Sequence, residues 1–167
     1  AEWYTDEYKR GHAAGHDALR TACALVDHLG VDEGNEAVDR FYTALGTQAH
    51  KNGRRDDLRD NTVAFIDECL VMAGVSMTYN QTGATAFDDE VAASTELALA
   101  RTGKDVGTPI LTFHPGQANE GSFFGPVIAR IPRGEEALKL WNAVEVVATT
   151  PGVAELKRTL RSKPVFD

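Results

Sequence analysis

The sequence predicts an α/β protein in which helices fill the first two-thirds of the chain and two strands follow near its end. Apolar residues recur at helical spacing before Gly103, whereas β-branched and aromatic residues cluster directly after Pro109. An isolated pair of strands is marginal in water, and a sheet covered by helices normally has more strands. We therefore expect further strands of this sheet to come from a segment that precedes Ala1.

Composition narrows the classes of partner. The 167 residues are 43% hydrophobic and 25% charged, with a formal net charge of −8, which is typical of a folded soluble domain. This negative charge argues against nucleic-acid binding. The basic pair Arg54-Arg55 has acidic neighbours and is interpreted as part of a solvated face. No apolar run approaches the roughly 18 residues of a membrane span, so no membrane partner is expected. Two cysteines, Cys23 and Cys69, favour a cytoplasmic location over a secreted disulfide scaffold.

Apolar periodicity predicts the helices of the first two-thirds. Leu19 and Tyr42 are among the residues expected to face inward, and Gly30 is expected to end the first helix. The stretch from Ser76 to Gly83 is polar and is expected to hold at most a short helix. The predicted helices run from Asp6 to Leu29, from near Asn35 to Gly53, from Asp57 or Asn61 to Gly74, and from Asp88 to Thr102.

The last third alternates strand and helix signals. Ile110–Phe113 is predicted to be a strand, and a second strand is expected at Phe123-Phe124. A helix beginning at Glu135 is expected to bury a stripe that includes Leu138 and Trp141, with Phe123 and Trp141 in the core. After a break at Pro151-Gly152, a last helix is predicted from Val153 to Leu160.

The most informative local feature is Gly107-Thr108-Pro109, directly before the first strand. Proline is tolerated at the first residue of a strand because it needs no N–H there. An X-Pro bond can also be cis at modest cost. On these residues alone, the stretch is either a loop that leads into a strand or a cis-proline turn.

Several motifs together resemble DsbA-family thioredoxin-fold oxidoreductases, and the resemblance is closest to the actinobacterial mycothiol-dependent nitroreductase group. The resemblance covers most of the chain. Its motifs are Tyr8 and Gly11, Phe41-Tyr42-Thr43-Ala44-Leu45-Gly46, His50, Gly53, Thr108-Pro109, Phe123-Phe124-Gly125-Pro126, Ile131-Pro132-Arg133-Gly134-Glu135-Glu136, Leu140-Trp141, Glu155-Leu156-Lys157-Arg158-Thr159 and Phe166-Asp167.

The resemblance implies a thioredoxin-like fold of DsbA type with a helical insertion. Residues 1–104 would form the helical insertion, or lid, domain, and residues 105–167 the C-terminal half of the thioredoxin-like domain. In such proteins an N-terminal βαβ unit carries Cys-Pro-Trp-Cys at the start of its helix, where the helix N-terminus stabilises a thiolate. This chain contains no Cys-x-x-Cys, so the βαβ unit and the catalytic thiols are expected to lie outside it.

The resemblance also assigns substrate-binding residues, although it leaves no catalytic residue in this chain. Thr108 and Pro109 would form the cis-proline loop, where the Thr108 backbone pairs with substrate and the prolyl ring shields the thiols. Tyr8 and His50 would lie on the lid over the cleft. For Tyr8 ordinary packing is the alternative, and for His50 an interaction with the helix dipole. No metal is implied, because His12 and His16 share a helix face without a third ligand.

The implied function is thiol–disulfide exchange by the complete protein. Mycothiol or a similar low-molecular-weight thiol would be co-substrate, with no tightly bound cofactor, and this chain alone would be inactive. Cys23 and Cys69 lie on apolar stripes and are expected to be inert. One alternative is a kappa-class glutathione transferase or hydroxychromene-carboxylate isomerase, with Ser in place of the first Cys. Another is a non-catalytic helical fragment that forms a homodimer through its exposed sheet edge.

Overall fold

The computed structural model describes residues 5–160 and 162–165. The chain divides into two compact units, Ala1–Ala93 and Ser94–Asp167. Phe166 and Asp167, which contribute to the family resemblance, lie outside the described residues. No helix within the described ranges combines the length and apolar composition that a membrane span requires.

The first unit is helical. The side chain of Thr5 caps its first helix by accepting a hydrogen bond from the Tyr8 N–H at 3.1 Å. Gly30, with φ of 81°, separates the first two helices. The elements are α1 (Asp6–Leu29), α2 (Val31–Gly46), a π-helical turn (Thr47–Lys51), α3 (Arg55–Asp60), α4 (Thr62–Met72), a 3-10 turn (Met77–Tyr79) and the start of α5 (Asp88–Thr102).

The core of the first unit lies where α1, α2 and α4 pack together. Leu25 of α1, Phe41 of α2 and Ile66 of α4 are almost completely buried. Cys69 is part of the same cluster and has no exposed surface. The apolar stripes of these three helices therefore meet in a single core, and this burial stabilises the unit.

Polar groups hold the connection before α5 against α1. The N–H of Gln81 donates to the hydroxyl of Thr21 at 3.1 Å, and the N–H of Gly83 donates to Asp17 Oδ1 at the same distance. The Arg20 guanidinium donates to Asp17 at 2.7 Å. Asp17 and Thr21 are buried and their polar atoms are satisfied, so paired polar groups position this part of the connection. Tyr79, which packs against the core, adds an apolar contact.

The second unit contains an antiparallel hairpin and a helix. Strand β1 (Ile110–Phe113) pairs with β2 (Gly121–Phe124), with Ile110 opposite Phe124 and Phe113 opposite Gly121. Helix α6 (Gly134–Thr149) packs on the hairpin, where Trp141 contacts Phe113 with ring centroids 5.0 Å apart. Near the end of the chain, the N–H of Val165 donates to the carbonyl of Ala129 at 2.7 Å and forms a parallel bridge beside Arg130.

The predicted last helix from Val153 to Leu160 is wrong. Residues 153–160 have no regular secondary structure, and Leu156 and Leu160 are 79% and 86% exposed. An amphipathic segment of eight residues is too short to form a stable helix without a surface that covers its apolar side. The described part of the chain provides no such surface at this segment.

Several residues predicted to be buried are exposed. In α6, which has no buried residue, Leu138 and Trp141 are 64% and 51% exposed. In the first unit, Leu19 and Tyr42 are also largely exposed, because they lie at the outer margin of their helix stripes. Phe123 is only half-buried. The apolar face of α6 thus extends well beyond the two strands that are available to cover it.

Candidate functional site

The Thr108-Pro109 segment forms an exposed corner at the start of the hairpin. The peptide bond between these residues is cis, as is that between Gly125 and Pro126. The carbonyl of Pro109 accepts from the N–H of Gly125 at 2.8 Å, which extends the β1–β2 pairing by one bond. Within the described residues, neither backbone group of Thr108 makes a hydrogen bond. The corner is therefore held on one side and leaves an N–H and a C=O available on the other.

Gly107 lies close to an aromatic ring in this corner. A Cβ at Gly107 would lie 3.3 Å from Cε2 of the Phe124 ring. The ring of Phe124, at the end of β2, therefore lies directly against the backbone that leads into Thr108. The absence of a side chain at Gly107 lets the aromatic ring support the loop.

Tyr8 lies in the first turns of α1 and is 41% exposed. Its ring contacts the imidazole of His12, with centroids 4.4 Å apart. His16 continues the same helix face, and its Nδ1 lies 3.9 Å from Asp88. Across residues 5–160 and 162–165, no three His, Cys, Asp or Glu side chains form a group that could hold a metal ion. The face carries a phenol and two imidazoles at one-turn intervals.

Ion pairs fix the start of α1 against α3. Arg59 of α3 donates to Glu7 at 2.5 Å and to Asp60 at 2.7 Å, and Arg10 lies 3.7 Å from Asp60. The pKa of Asp60 is lowered by its hydrogen bond from Arg59. The backbone that carries Tyr8 is thus tied to α3.

His50 is exposed on the π-helical turn that follows α2. The Asn52 N–H donates to the Thr47 carbonyl at 2.9 Å, and the Arg54 N–H donates to the Gln48 carbonyl at 3.1 Å. Single π-turns of this kind occur mostly within longer helices and often at functional sites. His50 is thus carried by a wide turn rather than by a continued α-helix.

Arg54 organises the surroundings of this turn and lies, as predicted, on a partly solvated face among acidic side chains. Its guanidinium donates two bonds to Glu68 at 2.7 and 2.9 Å, pairs with Asp57 at 2.5 Å, and lies 5.1 Å from the ring centroid of Phe65. It also donates to the Gln48 side chain at 3.0 Å. These bonds raise the pKa of Arg54 and lower that of Glu68. In the sequence, only the i, i+3 spacing of Arg54 and Asp57 signalled this role.

The four predicted substrate-binding residues form two pairs. Tyr8 and His50 both lie in the first unit, on elements that each contact α3. Thr108 and Pro109 lie in the second unit. All four residues are exposed, so each is available to a ligand.

Neither cysteine has the environment of a reactive thiol. Both are free, Cys69 fully buried and Cys23 half-buried. Burial raises the pKa of Cys69 to about 11, and burial also raises the pKa of Cys23. A nucleophilic thiol needs the opposite, a lowered pKa in an electropositive and accessible place.

Comparison with known proteins identifies the family. The family model described as mycothiol-dependent nitroreductase Rv2466c matches residues 3–158. A protein of Mycobacterium tuberculosis (strain ATCC 25618 / H37Rv), described as uncharacterized protein Rv2286c, is 33% identical over 121 residues. The matched region covers 72% of this chain and 49% of that relative, so the chain spans about half the relative's length. Because the family model extends over almost the whole chain, the chain belongs to the mycothiol-dependent nitroreductase Rv2466c family.

Proposed function

We propose that this chain is part of a DsbA-type thiol–disulfide oxidoreductase that uses mycothiol as co-substrate. Residues 1–104 would be the helical lid, and residues 105–167 the C-terminal half of a thioredoxin-like domain. Membership of the family supports the mycothiol chemistry. The domain assignment rests on the second unit. Its sheet has only two strands within the described residues, and its helix α6 has no buried residue.

Further strands and a helix of a larger domain would cover the free sheet edges and the exposed apolar face of α6. A two-stranded sheet has two free edges, and free edges invite pairing with another strand. Leu138 and Trp141 expose apolar surface whose burial would be favourable. We therefore assign the preceding βαβ unit of the longer protein as the segment that covers this surface.

The catalytic step would be thiol–disulfide exchange at a Cys-x-x-Cys in that preceding unit. The first cysteine thiolate attacks one sulfur of a disulfide, a new S–S bond forms, and the departing sulfur leaves as a thiolate. The resulting mixed disulfide is resolved by the second cysteine or by mycothiol. No resident cofactor is needed for this exchange, and a reducing cytoplasm is its natural setting.

Within this mechanism, the residues of this chain bind and orient the substrate. The Thr108 N–H would donate to a substrate carbonyl beside the reacting sulfur, and the Thr108 C=O would accept from a substrate N–H. The Pro109 ring would shield the thiols from water. Tyr8 and His50 would provide a hydroxyl and an imidazole from the lid. Their exposure supports this assignment.

The test uses the longer protein that contains this chain, incubated with mycothiol disulfide and analysed by intact mass spectrometry. With an upstream Cys-x-x-Cys intact, the second cysteine should resolve the mixed disulfide and release mycothiol. When the second cysteine is replaced by Ser, we expect one mycothiol adduct on the first cysteine, and its loss when that first cysteine is also replaced by Ser. A natural Ser at that position would instead support the transferase or isomerase alternative. Absence of both residues, or an adduct on Cys23 or Cys69, would refute the proposal.

The chain alone provides the second arm of the test. It should not reduce a disulfide substrate, because it lacks an activated thiol. Light scattering after size-exclusion chromatography should show a monomer that binds the separately produced upstream unit. A stable homodimer that does not bind this unit would support the interaction-fragment alternative.

A further inference from the structure

The sulfur of Met72 lies at one end of a hydrogen-bond chain that leads to Arg54. The Gln48 Nε2 donates to Met72 Sδ at 3.4 Å. The Gln48 Oε1 accepts from Asn52 Nδ2 at 3.1 Å and from Arg54 Nη1 at 3.0 Å. Two sets of contacts thus orient the Gln48 amide: its nitrogen faces the Met72 thioether, and its oxygen faces the side chains of Asn52 and Arg54.

Met72 is also accessible to small molecules. The residue is 52% exposed, although it lies at the end of α4 beside the core. It forms one wall of an open surface depression of about 370 Å³. The other residues that line the depression are Asp39, Arg40, Thr43, Ala44 and Thr47. A small oxidant can therefore reach the sulfur without any opening of the fold.

We propose that Met72 is an oxidation site that controls the π-turn carrying His50. Hydrogen peroxide is the oxidant, and the thioether sulfur gives up two electrons to it. The O–O bond breaks, one oxygen forms an S–O bond to Met72, and the other leaves as water after taking the proton of the transferred oxygen. The product is methionine sulfoxide, which is polar and chiral where the thioether was apolar.

The expected effect follows from the spacing of the atoms. At 3.4 Å, the contact between Gln48 Nε2 and Met72 Sδ leaves no room for an oxygen between them. A sulfoxide oxygen on that side forces the Gln48 amide to turn, and the turned amide no longer presents Oε1 to Asn52 and Arg54. Oxidation of Met72 therefore loosens the π-turn.

Met77 provides a matched internal control. It is the other methionine of the chain and is 54% exposed, almost the same as Met72. In the part of the chain that the structure describes, its sulfur makes no hydrogen bond. Met77 should thus react with peroxide at a similar rate, and its oxidation should leave the π-turn unchanged.

The experiment treats the full 167-residue chain with hydrogen peroxide and measures sulfoxide at each methionine by peptide mass spectrometry. Hydrogen exchange is then followed at the backbone N–H groups of Asn52 and Arg54. After oxidation we expect hydrogen exchange at these two groups to be on the order of threefold faster. The same acceleration is expected in Met77→Leu, in which Met72 is the methionine that remains. Reduction by methionine sulfoxide reductases should restore the slow rate.

In Met72→Leu the same treatment should leave exchange at Asn52 and Arg54 unaltered, because Leu has similar volume and no sulfur. Equal acceleration in Met72→Leu would overturn the proposal. So would complete oxidation of Met72 without any change of exchange in the Met77→Leu chain.

Discussion

The backbone of Gly34 in α2 lies directly against Val26 in α1. A Cβ placed on Gly34 would lie 2.5 Å from the Cα of Val26 and 2.9 Å from the carbonyl oxygen of Leu25. Both neighbouring atoms are main-chain atoms, which cannot swing aside as a side chain can. Two helices come this close only where one contributes no side chain, so Gly34 sets the distance between α1 and α2.

Replacing Gly34 by Ala should therefore destabilise the chain. The added methyl group must push two helix backbones apart, and we expect a loss of about 2–3 kcal/mol in the free energy of unfolding. Gly15→Ala is the matched control, because Gly15 is also in a helix but a methyl group added there would have no neighbouring atom within 4 Å. That variant should gain up to about 1 kcal/mol. Urea unfolding followed by circular dichroism measures both values; equal effects would contradict the close packing.

Gly121 should be equally intolerant in the second unit. A Cβ there would overlap the carbonyl oxygen of Ala148, a main-chain atom of α6. Gly121→Ala should push α6 away from β2 and weaken the contact between Trp141 and Phe113. In a Trp3→Phe background, which leaves Trp141 as the one tryptophan, we expect a red shift of fluorescence emission. If Gly121→Ala left the emission spectrum of the Trp3→Phe chain unchanged, the close packing of α6 against Gly121 would be contradicted.

The bond between Arg54 and Glu68 should make stability depend on pH. Arg54 holds the pKa of Glu68 below its ordinary value of 4.5. A carboxyl group with a lowered folded-state pKa stabilises the fold above its unfolded pKa and loses that effect as the pH falls through the folded pKa. Arg54→Met should thus lower the unfolding midpoint at pH 7, and the difference from the unchanged chain should shrink below pH 4.5.

Two measurements check this pH prediction. Carbon-13 NMR titration should show the Glu68 pKa rising in Arg54→Met. Arg54→Lys keeps the charge but cannot make two parallel bonds to Glu68, so its unfolding midpoint should be intermediate. A stability difference that stays constant from pH 7 to pH 3 would contradict the role assigned to this pair.

The two cysteines should be unreactive in the native chain at pH 8. With a pKa of about 11, only about one Cys69 in a thousand is a thiolate at that pH. Iodoacetamide labelling followed by mass spectrometry should therefore modify Cys23 slowly and Cys69 hardly at all. Both should react at once in guanidinium chloride. Rapid native alkylation of Cys69 would mean that the thiol is neither buried nor inert.

The role proposed for the Thr108 backbone can be separated from that of its side chain. In the longer protein, Thr108→Ala keeps the N–H and should leave kcat/KM within about twofold, whereas Thr108→Pro removes the N–H and should lower it at least tenfold. Tyr8→Phe and His50→Gln should each lower it, while Tyr42→Phe, at an exposed site on α2, should not. A large loss in Thr108→Ala with none in Thr108→Pro would exclude a backbone role.

The sequence predicts elements accurately where the local pattern alone determines them. The bounds of α1, from Asp6 to Leu29, and of β1, from Ile110 to Phe113, are as predicted. The second helix begins at Val31 rather than near Asn35, because Gly30 provides the junction without a longer loop. The prediction of a helix from Val153 to Leu160 is wrong because no surface of the described residues covers its apolar side.

The residues and contacts of the candidate site are harder to predict from the sequence than the helices and strands are. Tyr8 and His50 rest on family motifs alone, whereas the local residues already single out Thr108-Pro109 and the motifs add only its role. The bonds from Arg54 to Glu68 and from Gln48 to Met72 join residues far apart in the chain. Such pairs depend on how α4 packs beside the π-turn, and no local spacing encodes that packing.

The π-turn from Thr47 to Lys51 ends α2 with a hydrogen-bonded turn that is one residue longer than an α-helical turn. Its hydrogen bond spans five residues, from the Asn52 N–H to the Thr47 carbonyl, where an α-helix spans four. Each residue of an α-helix corresponds to about 100° of rotation, so a homologue one residue shorter here would present His50 in a different direction. An alignment gap at this turn would then mark a changed direction of the residue at position 50 rather than neutral drift in length.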